Sequence, residues 1–143
     1  MNAYTKQQRR LLILILLTLA FIWGNSLLPG ELSGRISDAA ARLAAWVLHQ
    51  PLVETSGGGV LRKLAHGTEF LVLGLELAAL CRSRGRAWSL PLLLGLLTAM
   101  GDETIQRFVA DRAGQLRDVW IDFGGLCTGV GIWYLRSRKK KAQ

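Results

Sequence analysis

The chain has 143 residues and a formal net charge of +8, with half of its residues apolar and a fifth charged. A basic soluble domain that holds nucleic acid spreads Lys and Arg over a polar surface, but here the apolar residues come in blocks and the charges fall between them. That pattern argues against a nucleic-acid partner. Two cysteines, Cys81 and Cys127, are too few for a disulfide framework.

The first apolar block runs from Leu11 to Leu28, behind Lys6, Arg9 and Arg10. It is close to the 20 or so apolar residues that a helix needs to cross the hydrocarbon core of a bilayer. The same arrangement fits a secretory signal, with Gly24-Asn25-Ser26 as a small-residue cleavage pattern. Three further apolar blocks favour a retained signal-anchor helix.

In the connection from Pro29 to Val60, Ile36, Ala40, Leu43 and Val47 recur on one helical face, and Asp38, Arg42 and His49 on the other. The spacing predicts an amphipathic helix over about Ser37 to Gln50, lying at the membrane surface or folded back on the bundle. Ser56-Gly57-Gly58-Gly59 reads as a flexible joint and lacks the strand-to-helix context of a phosphate loop.

The second block, Leu61 to Cys81, is interrupted by His66, Glu69 and Glu76. The third, Trp88 to Val109, has Ser89 and Pro91 in its first turn, where proline is tolerated, and Asp102, Glu103, Gln106 and Arg107 towards its end. The fourth, Val119 to Leu135, follows Asp118, carries Asp122 in its first turn, and contains Gly125 and Gly129. That small-xxx-small spacing lets two helix backbones approach closely.

The expectation is a single all-α membrane domain over residues 1–143. It is a four-transmembrane-helix bundle with spans at about 11–28, 61–81, 88–109 and 119–135. An extracytoplasmic amphipathic helix stands between helices 1 and 2, and a basic cytoplasmic tail occupies 136–143.

Cations near membrane segments favour the cytoplasmic side. The leader, the loop Cys81 to Ala87 and the tail hold eleven of the eighteen Lys and Arg residues and no acid. The remaining seven share the rest of the chain with all ten acids. The charge therefore predicts a multi-pass protein of the bacterial cytoplasmic membrane with both termini inside, with attraction to anionic lipid added. This topology delivers the end of the first span, the start of the second, the end of the third and the start of the fourth to the outer side.

Ionisable residues in membrane segments usually face the bundle interior and pair with one another. Arg62, His66, Glu69 and Glu76 share a helical stripe, Asp102 and Gln106 lie one turn apart with Glu103 beside them, and Asp118 and Asp122 are also one turn apart. Arg62, Lys63, Arg107, Arg112 and Arg117 supply nearby positive charge, and Asp118 is placed to pair with Arg112 or Arg117. One shared outward pocket is expected. His66, Glu69, Asp102 and Glu103 are its candidate acid–base residues or oxygen and nitrogen ligands for a divalent cation. Arg62, Lys63, Gln106, Arg112, Asp118 and Asp122 are the candidate ligand-binding residues, with the arginines suited to phosphate or carboxylate headgroups. No single cofactor or metal, and no oligomeric state, is written in these residues.

Three ordered motifs carry a resemblance. They are Arg62-Lys63-Leu64-Ala65-His66-Gly67-Thr68-Glu69-Phe70, then Asp102-Glu103-Thr104-Ile105-Gln106-Arg107-Phe108 followed by Arg112, then Asp118-Val119-Trp120-Ile121-Asp122-Phe123-Gly124-Gly125. With Asn25-Ser26-Leu27-Leu28-Pro29 after the first span, the chain resembles the VanZ family of small bacterial membrane proteins over nearly its whole length. Asp122 stands where that pattern also takes asparagine, adding a negative charge. The family takes its name from a protein associated with teicoplanin resistance, so the resemblance implies a membrane location and an envelope-related role without supplying a reaction.

Four functions compete at this stage. The protein binds or modifies an envelope lipid or glycopeptide-like amphiphile; it is an intramembrane hydrolase or transferase using activated water or direct transfer; it is a proton-linked transporter with Glu76 extending the acidic stripe; or its ion pairs only fix helix order.

Overall fold

A computed structural model describes residues 4–49, 59–112 and 114–139, and every regular element among them is a helix. In chain order these are α1 (Lys6–Ser26), α2 (Gly30–Leu48), α3 (Gly59–Ser83), α4 (Ser89–Gln106) and α5 (Leu116–Lys139). The all-α expectation and the order of four long helices with an amphipathic insert are met. Of the expected joint, only Gly59 lies within the described residues, where it begins α3; the end of the basic tail, from Lys140, lies outside them.

Among the described residues, two stretches, Lys6–Ser26 and Arg62–Ser83, are long and apolar enough to cross a membrane on their own. The physical reason that the other two fall short is visible in their sequences. α4 has 18 residues and ends on Asp102, Glu103, Thr104 and Gln106, while α5 begins with Arg117 and Asp118 and ends with Arg136, Arg138 and Lys139.

Each boundary has a local cause. Thr5 caps α1 in a capping box with Gln8, satisfying amides that a helix start leaves unpaired. The Gln8 amide also donates to the Ser83 carbonyl (3.1 Å), tying the start of α1 to the end of α3. α3 closes in a Schellman turn: Arg86 N–H donates to the Cys81 carbonyl (2.8 Å) and Gly85 N–H to that of Arg82 (3.0 Å). Gly85 supplies the left-handed residue (φ 64°) that this turn requires.

The helix between α1 and α3 begins earlier than its periodicity suggests, at Gly30 behind Pro29. Gly30 and Gly34 are weak helix formers, which hid its first turns. Gly30 N–H donates to the Ala110 carbonyl (3.1 Å), latching α2 to the loop between α4 and α5.

α3 and α5 form the most extensive interface, and glycine makes it possible. A Cβ on Gly125 would overlap the carbonyl oxygen of Gly67, one on Gly129 that of Leu71, and one on Gly74 that of Leu126. Ile22, Phe70, Leu73, Ala99 and Leu126 pack between the helices with no exposed surface. Outside this core, Leu16, Leu17 and Phe21 on α1 and Leu93, Leu97 and Met100 on α4 face outward, as lipid-facing residues would. At the end where α3 turns into α4, Trp88 packs on Trp133 and edge-on against Tyr134.

α2 leaves Leu43 and Trp46 62% and 76% exposed, so these residues of its apolar side are not folded onto the bundle. A nitroxide attached through Trp46→Cys, in a chain lacking Cys81 and Cys127, is expected to be relaxed by oxygen far more than by a water-soluble nickel chelate. That is the behaviour of an apolar face seated at the headgroup boundary. Preferential relaxation by nickel would place α2 in water.

Candidate functional site

The end of the bundle where α2 is latched collects the polar residues. A cavity of about 210 Å³ there is lined by side chains of α3, α4 and α5 and by the α4–α5 loop. It contains all six candidate ligand-binding residues: Arg62, Lys63, Gln106, Arg112, Asp118 and Asp122. Of the four candidate acid–base residues, His66 and Glu103 line it as well. Asp102 is fully buried and joins the site through Gln106. Glu69 faces a neighbouring cleft towards α1 and α2. Arg107 and Arg117 are exposed and lie outside the lining.

Gln106 is the hub, 3% exposed. Its carbonyl oxygen accepts from Arg62 Nη2 (3.0 Å). Its amide donates to Asp102 Oδ2 (2.9 Å), Ser26 Oγ (3.2 Å) and Glu103 Oε1 (3.3 Å). α1, α3 and one turn of α4 thus meet on one amide. Glu103 Oε2 accepts from the Gln115 backbone amide (2.8 Å), which holds the loop over α4. Gly114 fits beneath that loop only because it has no Cβ, which would collide with the Glu103 carbonyl.

On the α1 side, Asn25 Nδ2 donates to Glu69 Oε1 (3.0 Å), and Arg112 Nη2 donates to the Asn25 carbonyl (2.8 Å). Glu69 Oε2 lies 3.8 Å from His66 Nδ1. Deeper in the bundle, Glu76 accepts from Thr18 (3.2 Å) and lies outside the pocket lining.

Asp118 pairs with Lys63 (3.4 Å) instead of with Arg112 or Arg117. Residues adjacent on a helix point about 100° apart, so Arg117 turns outward when Asp118 faces α3. Arg112 is drawn to the Asn25 carbonyl. Lys63 is thereby part of the pocket wall.

Several polar atoms here are buried without a hydrogen-bond partner among the described residues: His66 Nδ1, Asp102 Oδ1, Asp122 Oδ2, and Arg112 Nε and Nη1. Buried polar groups in folded proteins are nearly always paired, so such a concentration marks groups arranged for something other than each other. Burial pushes the Arg112 pKa down, helped by the Arg62 charge and opposed by Asp102 and Glu103. A guanidinium nevertheless stays cationic in proteins, so Arg112 presents two free donors on a fixed positive charge.

The sequence reading placed Asn25 and Ser26 on this side of the membrane but not in the site, although both are bonded to its central residues. Their signal was a polar pair closing an otherwise apolar span. The Gln115 contribution is a backbone amide, which no residue identity announces.

Two further surfaces adjoin the pocket. A cleft of about 150 Å³ between α1, α2 and α3 shares Arg62, His66 and Arg112 with it. That cleft shares Ala65 and Glu69 with a groove of about 780 Å³ between α1 and α3, whose other walls include Leu17, Phe21, Leu64 and Val72. Polar pocket, cleft and apolar groove are thus neighbours that share wall residues.

The family model described as VanZ/LLP1 matches residues 10–137 of the chain. No curated protein and no solved structure matches it.

Proposed function

The chain belongs to the VanZ/LLP1 family, and from that premise we propose that it is a four-span protein of the bacterial cytoplasmic membrane that takes up an envelope amphiphile from the outer side. The anionic headgroup, of a lipid or of a glycopeptide-like molecule, sits against Arg62 and Arg112, and its apolar tail runs along α1 and α3. In this reading α1, α3, α4 and α5 are the spans, α2 lies on the outer surface, and both termini are inside, as the distribution of cations favours. Exposed Trp46, Phe108, Leu116 and Trp120 near the pocket end suit a membrane–water boundary.

One observation carries the reading. The polar pocket shares walls with the cleft, and the cleft in turn with a groove lined by Leu17, Phe21, Leu64 and Val72. A headgroup alone needs no such groove, and a tail alone needs no Arg112. Charge-assisted bonds from the free Arg112 donors would fix the head, while burial of the tail supplies non-directional affinity.

The test is mass spectrometry of lipids retained by purified protein. Wild type is expected to carry one amphiphile class that both Arg112→Gln and Ala65→Trp lose. The first removes the charged donors, and the second blocks the junction between cleft and groove. An identical lipid profile in all three proteins would refute the reading.

A further inference from the structure

The pocket has a charge problem that its amphiphile does not solve. Arg62, Lys63 and Arg112 line it together with four carboxylates, Glu103, Asp111, Asp118 and Asp122, and Asp102 lies buried beside them. An anionic headgroup would enter a pocket already in acid excess.

We propose that His66, Asp102 and Asp122 hold a divalent first-row transition cation at the floor of this pocket, and that the cation, with Arg62 and Arg112, receives the anionic headgroup. The three residues come from α3, α4 and α5. One nitrogen of His66 and one carboxylate oxygen of each aspartate lie within 4.8 Å of one another. Tetrahedral ligands at about 2.0–2.2 Å from a common ion stand roughly 3.3–3.6 Å apart, so the ligand atoms need to close in by no more than about 1.5 Å.

The aspartates are 0% and 1% exposed, and Asp102 Oδ1 and Asp122 Oδ2 have no hydrogen-bond partner among the described residues. Unpaired carboxylate oxygens at that depth are costly unless a cation or proton meets them. The surroundings also hold one ligand in position: Gln106 fixes Asp102 through its other oxygen (2.9 Å), the kind of outer support that metal ligands usually have.

An imidazole nitrogen beside two carboxylate oxygens suits Zn²⁺ or Mn²⁺, whereas Mg²⁺ and Ca²⁺ draw on all-oxygen sets. Three protein ligands leave positions open, as sites that receive a water or substrate oxygen do. His66 and Asp122 both line the pocket, so those positions face the headgroup. A bound dication cancels the local acid excess. This second step rests on the amphiphile reading; the cation site does not.

The test uses full-length protein stripped with a chelator and dialysed against Zn²⁺ or Mn²⁺. Wild type is expected to bind one equivalent. His66→Ala and Asp122→Asn should weaken binding by at least ~100-fold, while Cys127→Ser and His49→Gln keep it. With Mn²⁺ bound, pulsed electron paramagnetic resonance of wild type should show coupling to one ¹⁴N that survives His49→Gln, a readout that needs no pocket variant to fold. Less than a tenth of an equivalent in wild type, full binding in Asp122→Asn, or Mn²⁺ without nitrogen coupling would each overturn the site. If the cation binds but the retained lipids do not change on chelation, the site stands and its link to the headgroup falls. If lipids depend on Arg112 while no cation binds, the amphiphile reading survives without it.

Discussion

Gly129→Leu is expected to remove most of the folded protein, because α3 and α5 can no longer close. The atom that a Cβ would strike at this position is the Leu71 carbonyl oxygen, part of a helix backbone, and a backbone cannot rotate away as a side chain can. Overpacking a core usually costs about 1–3 kcal/mol. Here the flanking contacts of Gly125 and Gly74 are equally tight, so separation at one point opens the whole seam, and the cost should reach or exceed about 3 kcal/mol. A cost of that size is a large share of a typical folding free energy of 5–15 kcal/mol. Gly131 on the same helix has nothing within 4 Å of its Cβ position, so Gly131→Leu should purify and melt like wild type. Thermal unfolding of the monodisperse fraction compares the two. Equal melting of Gly129→Leu and wild type would disprove the close α3–α5 approach.

The second large effect is expected at Gln106. Gln106→Leu keeps the volume but leaves Arg62, Ser26, Asp102 and Glu103 each short of a partner. Asp102 then has neither oxygen satisfied, since Oδ1 has no hydrogen-bond partner already. Taking a hydrogen-bond partner from a buried charged group costs about 1.5–3 kcal/mol for each bond lost. Lys63→Ala is the contrast: its ion pair with Asp118 spans 3.4 Å between partly exposed side chains, and such pairs contribute about 0–1 kcal/mol. Unfolding midpoints should therefore drop by many degrees for Gln106→Leu and barely move for Lys63→Ala. Comparable midpoints for the two would show that Gln106 is not the hub its bonds suggest.

Much of this arrangement was legible in the sequence, because helical spacing is a local property. The pair Asp102 and Gln106 lies one turn apart and is bonded directly, and the stripe Arg62, His66, Glu69 indeed faces α1 and α4 partners. Gly125 and Gly129 announced a close approach. What the spacing did not announce was the other side of each contact. Gly67 and Gly74, a heptad apart on α3, meet α5 only once the two helices have docked. Ser26 and Asn25 gain their roles from Gln106 and Glu69, residues far away in sequence. The choice of Lys63 over Arg112 or Arg117 as the Asp118 partner depended on which way the first turn of α5 faces. The early start of α2 was hidden because Gly30 was selected by a contact, its close fit against the Asp111 carbonyl, at the expense of helix propensity.

The two ends of the bundle are fastened by different chemistry. Where α3 turns into α4, the ties are a neutral amide from Gln8 to Ser83 and the rings of Trp88, Trp133 and Tyr134, with Arg84 stacked on Tyr4. At the opposite end almost every tie involves an ionisable side chain or the amide that joins them. Acid will therefore act on the bundle like a hand on one end of a clothes peg: the pocket end loosens, and the helices pivot about an end whose ties contain no carboxylate.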